Sequence, residues 1–450
     1  MLAHSTSRTG QYIAFNRAIV AEAREKFPQT VNCSTLHGLA FKATPSRFKS
    51  KSEKMRGKIN ALKLAEALKL KRWQIDKSHT LVPRSHGFLI LETIRSFLHS
   101  ADNDLAAKHV PRHGSLVAAP DATLKAVTEF ALHAAKHVWD RMRDDRDDIP
   151  LGHDGYLKLW ALSEPVIAAD FILLDEAQDT NQVVLNVLRK QTAQMIYVGD
   201  RYQQIYEWRG AVNAMEEIST DYSTDLRKSF RFGEKIAEAA SKVLFLLKEK
   251  NRIIGNPAIN SRIGSVVPDT ILARTNASTI AAIIENLDAG KSPHLVGGTD
   301  EIMEMLRGVQ DLKAGNQSTV PDFFGFDKWE QVVEFAKSGE GAHLSTFVNL
   351  VETRGERQLM WALGRTVDDE KCDITISTAH KAKGREWRNV RLMDDFLRSQ
   401  PKAKSQAKPG QSGLDPAELR LFYVALTRAK EAIEVPSAVM SLIGGGVERA

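Results

Sequence analysis

Two acids at the end of an apolar run are the first residues with chemistry to offer. Phe171-Ile-Leu-Leu-Asp175-Glu176-Ala-Gln-Asp179 delivers adjacent carboxylates directly off four apolar residues. A continuous apolar run suits a parallel strand buried on both faces, and open α/β sheets bind ligands at the carboxyl ends of such strands. There the first carboxylate can hold Mg²⁺, directly or through water, and the second can orient a water that attacks a γ-phosphate. Acids gathered at a helix N-terminus by the helix dipole would produce a similar string without chemistry. A second run, Met195–Val198, ends in Gly199-Asp200 and continues Arg-Tyr-Gln203-Gln-Ile-Tyr206-Glu-Trp208-Arg209-Gly-Ala211. Gln203, just past a neighbouring strand end, is placed to report on a γ-phosphate. Tyr206 and Trp208 offer flat faces to bases, worth roughly 1–3 kcal/mol per stacked base; as a lone aromatic pair they would be packing residues.

These motifs need a scaffold, and the composition bounds it. The chain has 450 residues, 43% hydrophobic and 26% charged, which is ordinary for a globular protein and long enough for two to four domains. Collagenous, disulfide-stapled and wholly disordered chains are excluded. No apolar run approaches the roughly 18 residues of a membrane span, the N-terminus lacks the apolar core of a secretory signal, and two distant cysteines, Cys33 and Cys372, fit a reducing cytosol. Net charge is +6, yet residues 42–77 alone hold twelve Lys/Arg against three acids. A local excess of that size is a solvated face or a surface for a phosphate backbone. Tyr12–Phe15 reads as a short apolar run, Arg17–Phe27 as a helix ended by Pro28, and 42–150 as helical with almost no strand signal. A second unit is expected from near Asp225, with strands at Val267–Ala273 and Ile374–Thr378, helical material over 300–365, and a Pro/Gly/Ser/Lys linker over 399–414.

Two later strings complete a pattern: Thr378-Ala-His380-Lys-Ala-Lys383-Gly384-Arg-Glu386-Trp387 and Leu419-Arg420-Leu-Phe-Tyr423-Val-Ala-Leu-Thr427-Arg428-Ala-Lys430. Together with the two strand-end strings, Ser229-Phe230-Arg231-Phe232-Gly233, Ala273-Arg274-Thr275-Asn276, Ala14-Phe15-Asn16-Arg17 and Thr35-Leu-His37-Gly38, the chain resembles the superfamily 1A helicases of the UvrD/Rep/PcrA type. The nearer likeness is to their F-box-helicase-like branch, over about residues 11–435. The resemblance implies ATP and Mg²⁺ as cofactors and single-stranded DNA, or DNA with a single-stranded tail, as partner. It implies Mg²⁺ binding by Asp175, hydrolytic base action by Glu176, γ-phosphate sensing by Gln203, and arginine fingers at Arg231 and Arg428. It places Glu386 on the nucleotide sugar, with Gly384 and Arg209 also at the nucleotide. Asn16, Thr35, His37, Tyr206, Trp208, Thr378 and His380 would line the single-strand track. Guanidinium forks suit the charge spread over a loose phosphoryl-transfer state.

One family element is missing from these residues. The family places Gly-x-x-x-x-Gly-Lys-Ser/Thr before the strand that reads Tyr12-Ile-Ala-Phe15, and only eleven residues precede it. Gly290-Lys291-Ser292 is a decoy, since position 285 is Glu and Pro293 follows at once. The expectation is a first lobe lacking its first strand and phosphate loop, with two unpaired strand edges inside its sheet. Five buried apolar side chains on such a strand contribute roughly 8–15 kcal/mol, as much as the net stability of a domain, so that lobe is expected to be marginal. A clipped gene product, a degenerate helicase that keeps DNA binding, and a partner chain that supplies the loop all fit.

The expected fold class is α/β, with two tandem RecA-like lobes and helical insertions. The first lobe is residues 1–40 and 151–220 around a basic helical insertion at 41–150. The second is 221–298 and 366–450 around a small helical insertion at 299–365. The expected activity is ATP-dependent 3′→5′ translocation and unwinding by a cytoplasmic protein, with weak or no hydrolysis by this chain; the alternative is a non-catalytic single-stranded DNA-binding remnant.

Overall fold

The computed structural model describes residues 7–14, 16–206, 214–338, 341–397 and 414–443. The chain divides into two compact units: Met1–Ser219 with Gln317–Asp327, and Thr220–Asn316 with Lys328–Ala450. Each is built on a wholly parallel sheet.

In the first unit the strand order is β2-β1-β5-β6, with β1 Gly10–Ile13, β2 Val31–Ser34, β5 Phe171–Leu174 and β6 Gln194–Tyr197. Phe171, Ile172 and Leu174 are buried, as the unbroken apolar run of β5 requires of a strand covered on both faces. Pairing aligns Ile13 with Ser34 and Leu174, and Leu174 with Tyr197. The residues that follow all four strands therefore emerge on one sheet edge. Among the described residues this sheet has no gap. β1 bonds directly to β5, so the unpaired edges expected inside the sheet are absent and its open edges are the outer sides of β2 and β6. Gly10–Ile13 pairs with Phe171–Leu174 residue by residue, so the strands expected to flank an opening are direct neighbours.

Residues 42–150 form the helices Ser46–Lys49, Ser52–Arg56, Ala61–Ala67, Pro83–His99 and Asp121–Arg143, plus a two-residue hairpin of β3 Trp73–Gln74 and β4 Thr80–Leu81 that the sequence reading lacked. Lys54 is buried, and its ammonium donates to the carbonyls of Arg141, Asp147 and Ile149. A distant segment joins this body. The Gln317 side chain is buried, donates to Thr80 O at 2.7 Å and accepts from the Ser85 hydroxyl at 2.8 Å, while Phe324 packs on Phe88 at 5.3 Å between ring centres.

The second unit holds the order β7-β12-β11-β8-β10-β9, all parallel. Its strands are β7 Arg262–Ile263, β8 Thr270–Ala273, β9 Pro293–Leu295, β10 Ile374–Thr378, β11 Trp387–Leu392 and β12 Ala429–Glu434. β8 begins three residues later than the apolar run suggests, and Val267 stays 85% exposed. No described helix is long and apolar enough to cross a membrane. The 399–414 stretch falls almost entirely outside the described residues.

His86, in the first unit, is buried between Trp73 and Phe130, and neither ring nitrogen has a hydrogen-bond partner among the described residues. Burial pushes its pKa down from 6.5 to about 4. The imidazole is neutral when folded and protonates in the unfolded chain below pH 6.5, so its contribution is complete above that pH and is lost as pH falls toward 4. His86→Phe is expected to remove on the order of 3 kcal/mol of acid sensitivity between those limits, at about 1.4 kcal/mol per unit, measured by urea unfolding of the two proteins at matched pH.

Candidate functional site

The shared edge of the first sheet collects most of the first unit's candidates. Asp175 leaves β5 with its amide donating to Ile13 O at 3.0 Å. Its Oδ2 accepts the Tyr12 hydroxyl at 2.6 Å and its Oδ1 accepts the Glu176 amide at 3.0 Å. Tyr12 is buried on β1, and burial, then the bond to Asp175, pushes its phenol well above the ordinary tyrosine range. The phenol thus stays a donor and fixes the carboxylate. A carboxylate offers about four acceptor positions, so two remain for a hard cation; the donor type fits Mg²⁺.

Glu176 adopts φ 52° and ψ 44°, a left-handed conformation that costs roughly 1–2 kcal/mol outside glycine. Strain of this kind persists where surroundings over-determine it. Here the surroundings are a hydrogen-bonded chain. The Gln178 amide donates to Glu176 Oε2, and Gln178 Oε1 accepts the Asp200 amide at 3.1 Å. Asp200 Oδ2 then accepts Gln203 Nε2 at 3.0 Å. Gln178 is fully buried. Gly199 permits its approach, because a Cβ there would stand 2.2 Å from Gln178 Oε1. The chain links the end of β5 to the end of β6, so Glu176 and Gln203 are positioned by one network.

Asn16 and Thr35 follow β1 and β2 at the same edge. Each caps a helix: Asn16 Oδ1 accepts the Ile19 amide at 3.0 Å and Thr35 Oγ1 the Gly38 amide at 3.1 Å. His37 reaches Asp154 at 3.2 Å, and Tyr206 is half-buried. Trp208 and Arg209 lie outside the described residues.

The second unit separates its candidates into two groups. Thr378 ends β10 in register with Ala273 of β8, so Thr378 and the half-buried His380 lie at the carboxyl edge. Arg274 follows β8 and is taken by Glu418, while Asp395 accepts the Arg274 and Thr275 amides. Glu386 and Arg428 lie at the opposite edge, where Trp387 N donates to Arg428 O at 3.0 Å. The six residues of β11 put about 16 Å between its ends. At the amino edge Glu386 is held on both oxygens, by Lys430 at 2.6 Å and by Arg231 at 2.6 Å. Lys430 first, then Arg231, hold its carboxyl below the ordinary range against the opposing effect of burial. Gly384 turns the chain before it at φ 81°, open to glycine. Arg428 is 1% exposed, and its guanidinium donates to Val424 O, Arg385 O and the Thr427 hydroxyl. It is a wedge inside the unit, and a role on phosphate requires it to exchange those partners. Tyr12, Gln178, Asp200 and Lys430 were not read from sequence as site residues; the only signal was that they lie in or beside the strings quoted above.

Comparisons with known proteins define the class. Residues 13–223 match the UvrD/REP helicase N-terminal domain and residues 171–438 the UvrD-like helicase C-terminal domain. The chain belongs to the UvrD-like DNA helicase family, and its two α/β units, each built on a parallel sheet, have the architecture of RecA-like helicase lobes. It is 28% identical to F-box DNA helicase 1 of Gallus gallus, covering 96% of this chain and 45% of that protein. It is 30% identical to F-box DNA helicase protein 1 of Schizosaccharomyces pombe, covering 96% and 53%. The chain spans about half the length of these curated relatives. A solved structure titled "The structure of PRRSV helicase" aligns over 60% of this chain and 35% of that one, at 13% identity and a TM-score of 0.27, too low to add to the assignment.

The network generates two expected outcomes. Tyr12→Phe removes one of the two hydrogen bonds on the Asp175 carboxylate and is expected to cost about 1.5–3 kcal/mol. Gly199→Ala forces Gln178 away and is expected to cost about 1–3 kcal/mol. Denaturant unfolding of each variant checks both; unchanged stability of either would remove the corresponding contact from the account.

Proposed function

We propose that the chain is the motor region of an ATP-driven helicase that translocates 3′→5′ on single-stranded DNA. In this reading 1–40 and 151–220 form the first lobe and 221–298 and 366–450 the second, with insertions at 41–150 and 299–365. The observation that carries it is the common edge of the first sheet, where Asp175, Glu176 and Gln203 stand beside the Asn16 and Thr35 caps. Asp175 would hold Mg²⁺, Glu176 would orient the attacking water, and Gln203 would sense the γ-phosphate. Mg²⁺, when bound, neutralises charge on the β- and γ-phosphate oxygens. Arg231 would supply a guanidinium after leaving Glu386, and Arg428 after leaving its carbonyls. Thr35, His37, Tyr206, Trp208, Thr378 and His380 would line the strand's path.

A second reading applies to the 450 residues taken by themselves. They contain no Gly-x-x-x-x-Gly-Lys-Ser/Thr string, so on their own they are expected to bind single-stranded DNA and turn ATP over poorly. One measurement tests the strand binding common to both readings, and a second decides between them. Trp208→Ala is expected to weaken single-strand binding by about 1–3 kcal/mol, read by fluorescence anisotropy. DNA-stimulated ATP hydrolysis is expected to stay well below about 1 s⁻¹, the low end for enzymes. Faster turnover that Glu176→Gln abolishes would overturn the second reading and leave the motor reading intact.

A further inference from the structure

Trp361 has no part in the site described above, and it is 57% exposed. It lies on the helix Glu356–Leu363, whose Leu359, Ala362 and Leu363 are buried. That buried side packs on the helices Asn276–Asp288 and Asp300–Lys313. Residues three and four apart share a helix face, so Arg357, Gln358 and Trp361 lie together on the side turned to water, and all three are exposed. Gly364 ends the helix in right-handed backbone, and the exposed Arg365 returns its guanidinium to 4.2 Å from the centre of the Trp361 ring.

A lone exposed aromatic asks for no partner; the charge around this one does. Among the described residues neither Arg357 nor Arg365 pairs with a carboxylate, and the Trp361 indole N–H has no acceptor. The acids nearby are engaged elsewhere. Glu356 is held by Lys313 at 2.7 Å, and Glu352 accepts the Trp329 indole N–H at 2.8 Å. Lys313 first, and Arg357 only weakly, hold the Glu356 carboxyl below its ordinary range. In the turn that follows, Asp369 stands 4.0 Å from His294. Two guanidinium groups thus flank an accessible indole with no counter-charge of their own.

The stack decides which ligand suits them. A guanidinium lying on an indole is attracted by the ring and held flat, which leaves its fork of N–H donors preset for the two oxygens of a carboxylate. The same cation covers a ring face that a nucleic-acid base would need for stacking. Arg357 and Arg365 are about 12 Å apart along the helix axis at 1.5 Å per residue. An extended peptide covers about 13 Å in four residues, with residues i, i+2 and i+4 on one face. We propose that Arg357, Trp361 and Arg365 form a docking surface for an extended acidic segment of a partner protein, of the pattern acid-x-apolar-x-acid. Its carboxylates take the two guanidinium groups and its apolar side chain lies on the exposed edge of the indole. Tryptophan and arginine are the residues that most often carry the energy of such an interface. This surface is independent of the nucleotide and strand sites.

The test is fluorescence anisotropy of the full chain at low salt with a labelled Gly/Ser peptide that carries Glu-Ser-Leu-Ser-Glu at its centre. The same peptide with both Glu replaced by Gln, and a blunt DNA duplex, are measured beside it. Saturable binding of the acidic peptide is expected, weakened at least about 10-fold by Trp361→Ala and by Arg365→Gln, as truncation of an interface hot spot does. Arg365→Lys keeps the charge but not the fork, and is expected to lose most of the same affinity. Thermal unfolding checks that each variant is folded. Absence of saturable binding, equal binding of the Gln peptide, or unchanged affinity in Trp361→Ala or in both Arg365 variants overturns the surface. A duplex that binds and is weakened by the same variants overturns the choice of a peptide.

Discussion

A single buried amide ties the carboxyl edge of the first unit together. Gln178 gives one hydrogen bond to Glu176 and takes one from the backbone of Asp200, with no solvent exposure. An amide that is buried must satisfy both of its ends, since an orphaned polar group costs about 1–3 kcal/mol. The left-handed turn at Glu176 and the glycine at 199 flank this amide, and the glycine leaves the room its oxygen takes. Tyr12 does the same for Asp175 from the other flanking strand. The two acids are thus fixed from opposite sides, one by β1 and one by β6, before any ligand arrives. Donors and acceptors held in place in advance are what phosphoryl transfer requires, because positioning and charge neutralisation supply most of its catalysis.

The second unit follows a different plan. Its polar residues neutralise one another: Glu386 between Arg231 and Lys430, Arg274 on Glu418, Arg428 on carbonyls. A cation held by an internal partner gains a phosphate only by exchanging one partner for another. This arrangement suits a switch, in which ligand binding competes with contacts inside the unit. The first unit presents a fixed cradle and the second a set of exchangeable pairs.

Much of this was legible in the sequence. The apolar run at 171–174 gave a strand because a strand buried on both faces has no polar alternation to hide, whereas the run at 195–198 gave the edge strand Gln194–Tyr197, whose residues stay half-buried or exposed. Their C-terminal acids fell at the sheet edge because parallel register leaves them nowhere else. What escaped depends on distant partners. Tyr12 looked like one more apolar-run residue, and only the pairing of β1 with β5 brings its hydroxyl to Asp175. Gln317 sits more than two hundred residues from Thr80 and Ser85, and no periodicity links them. The expected break inside the first sheet was an argument from what precedes β1, and direct β1–β5 pairing answers it. Arg428, drawn from its motif as an arginine finger, is buried because the last six residues of the helix Pro416–Leu426, whose Val424 carbonyl it bonds, are themselves all buried.

Hydrogen exchange at the Asp200 amide tests the central interaction most directly. That amide donates to a side chain rather than to a sheet partner, so its protection reports on the Gln178 contact. Protection comparable to the interior amides of β5 is expected, lost in Gln178→Leu while β5 itself remains protected. Exchange at Asp200 as fast as an open loop in the unmodified chain would contradict it.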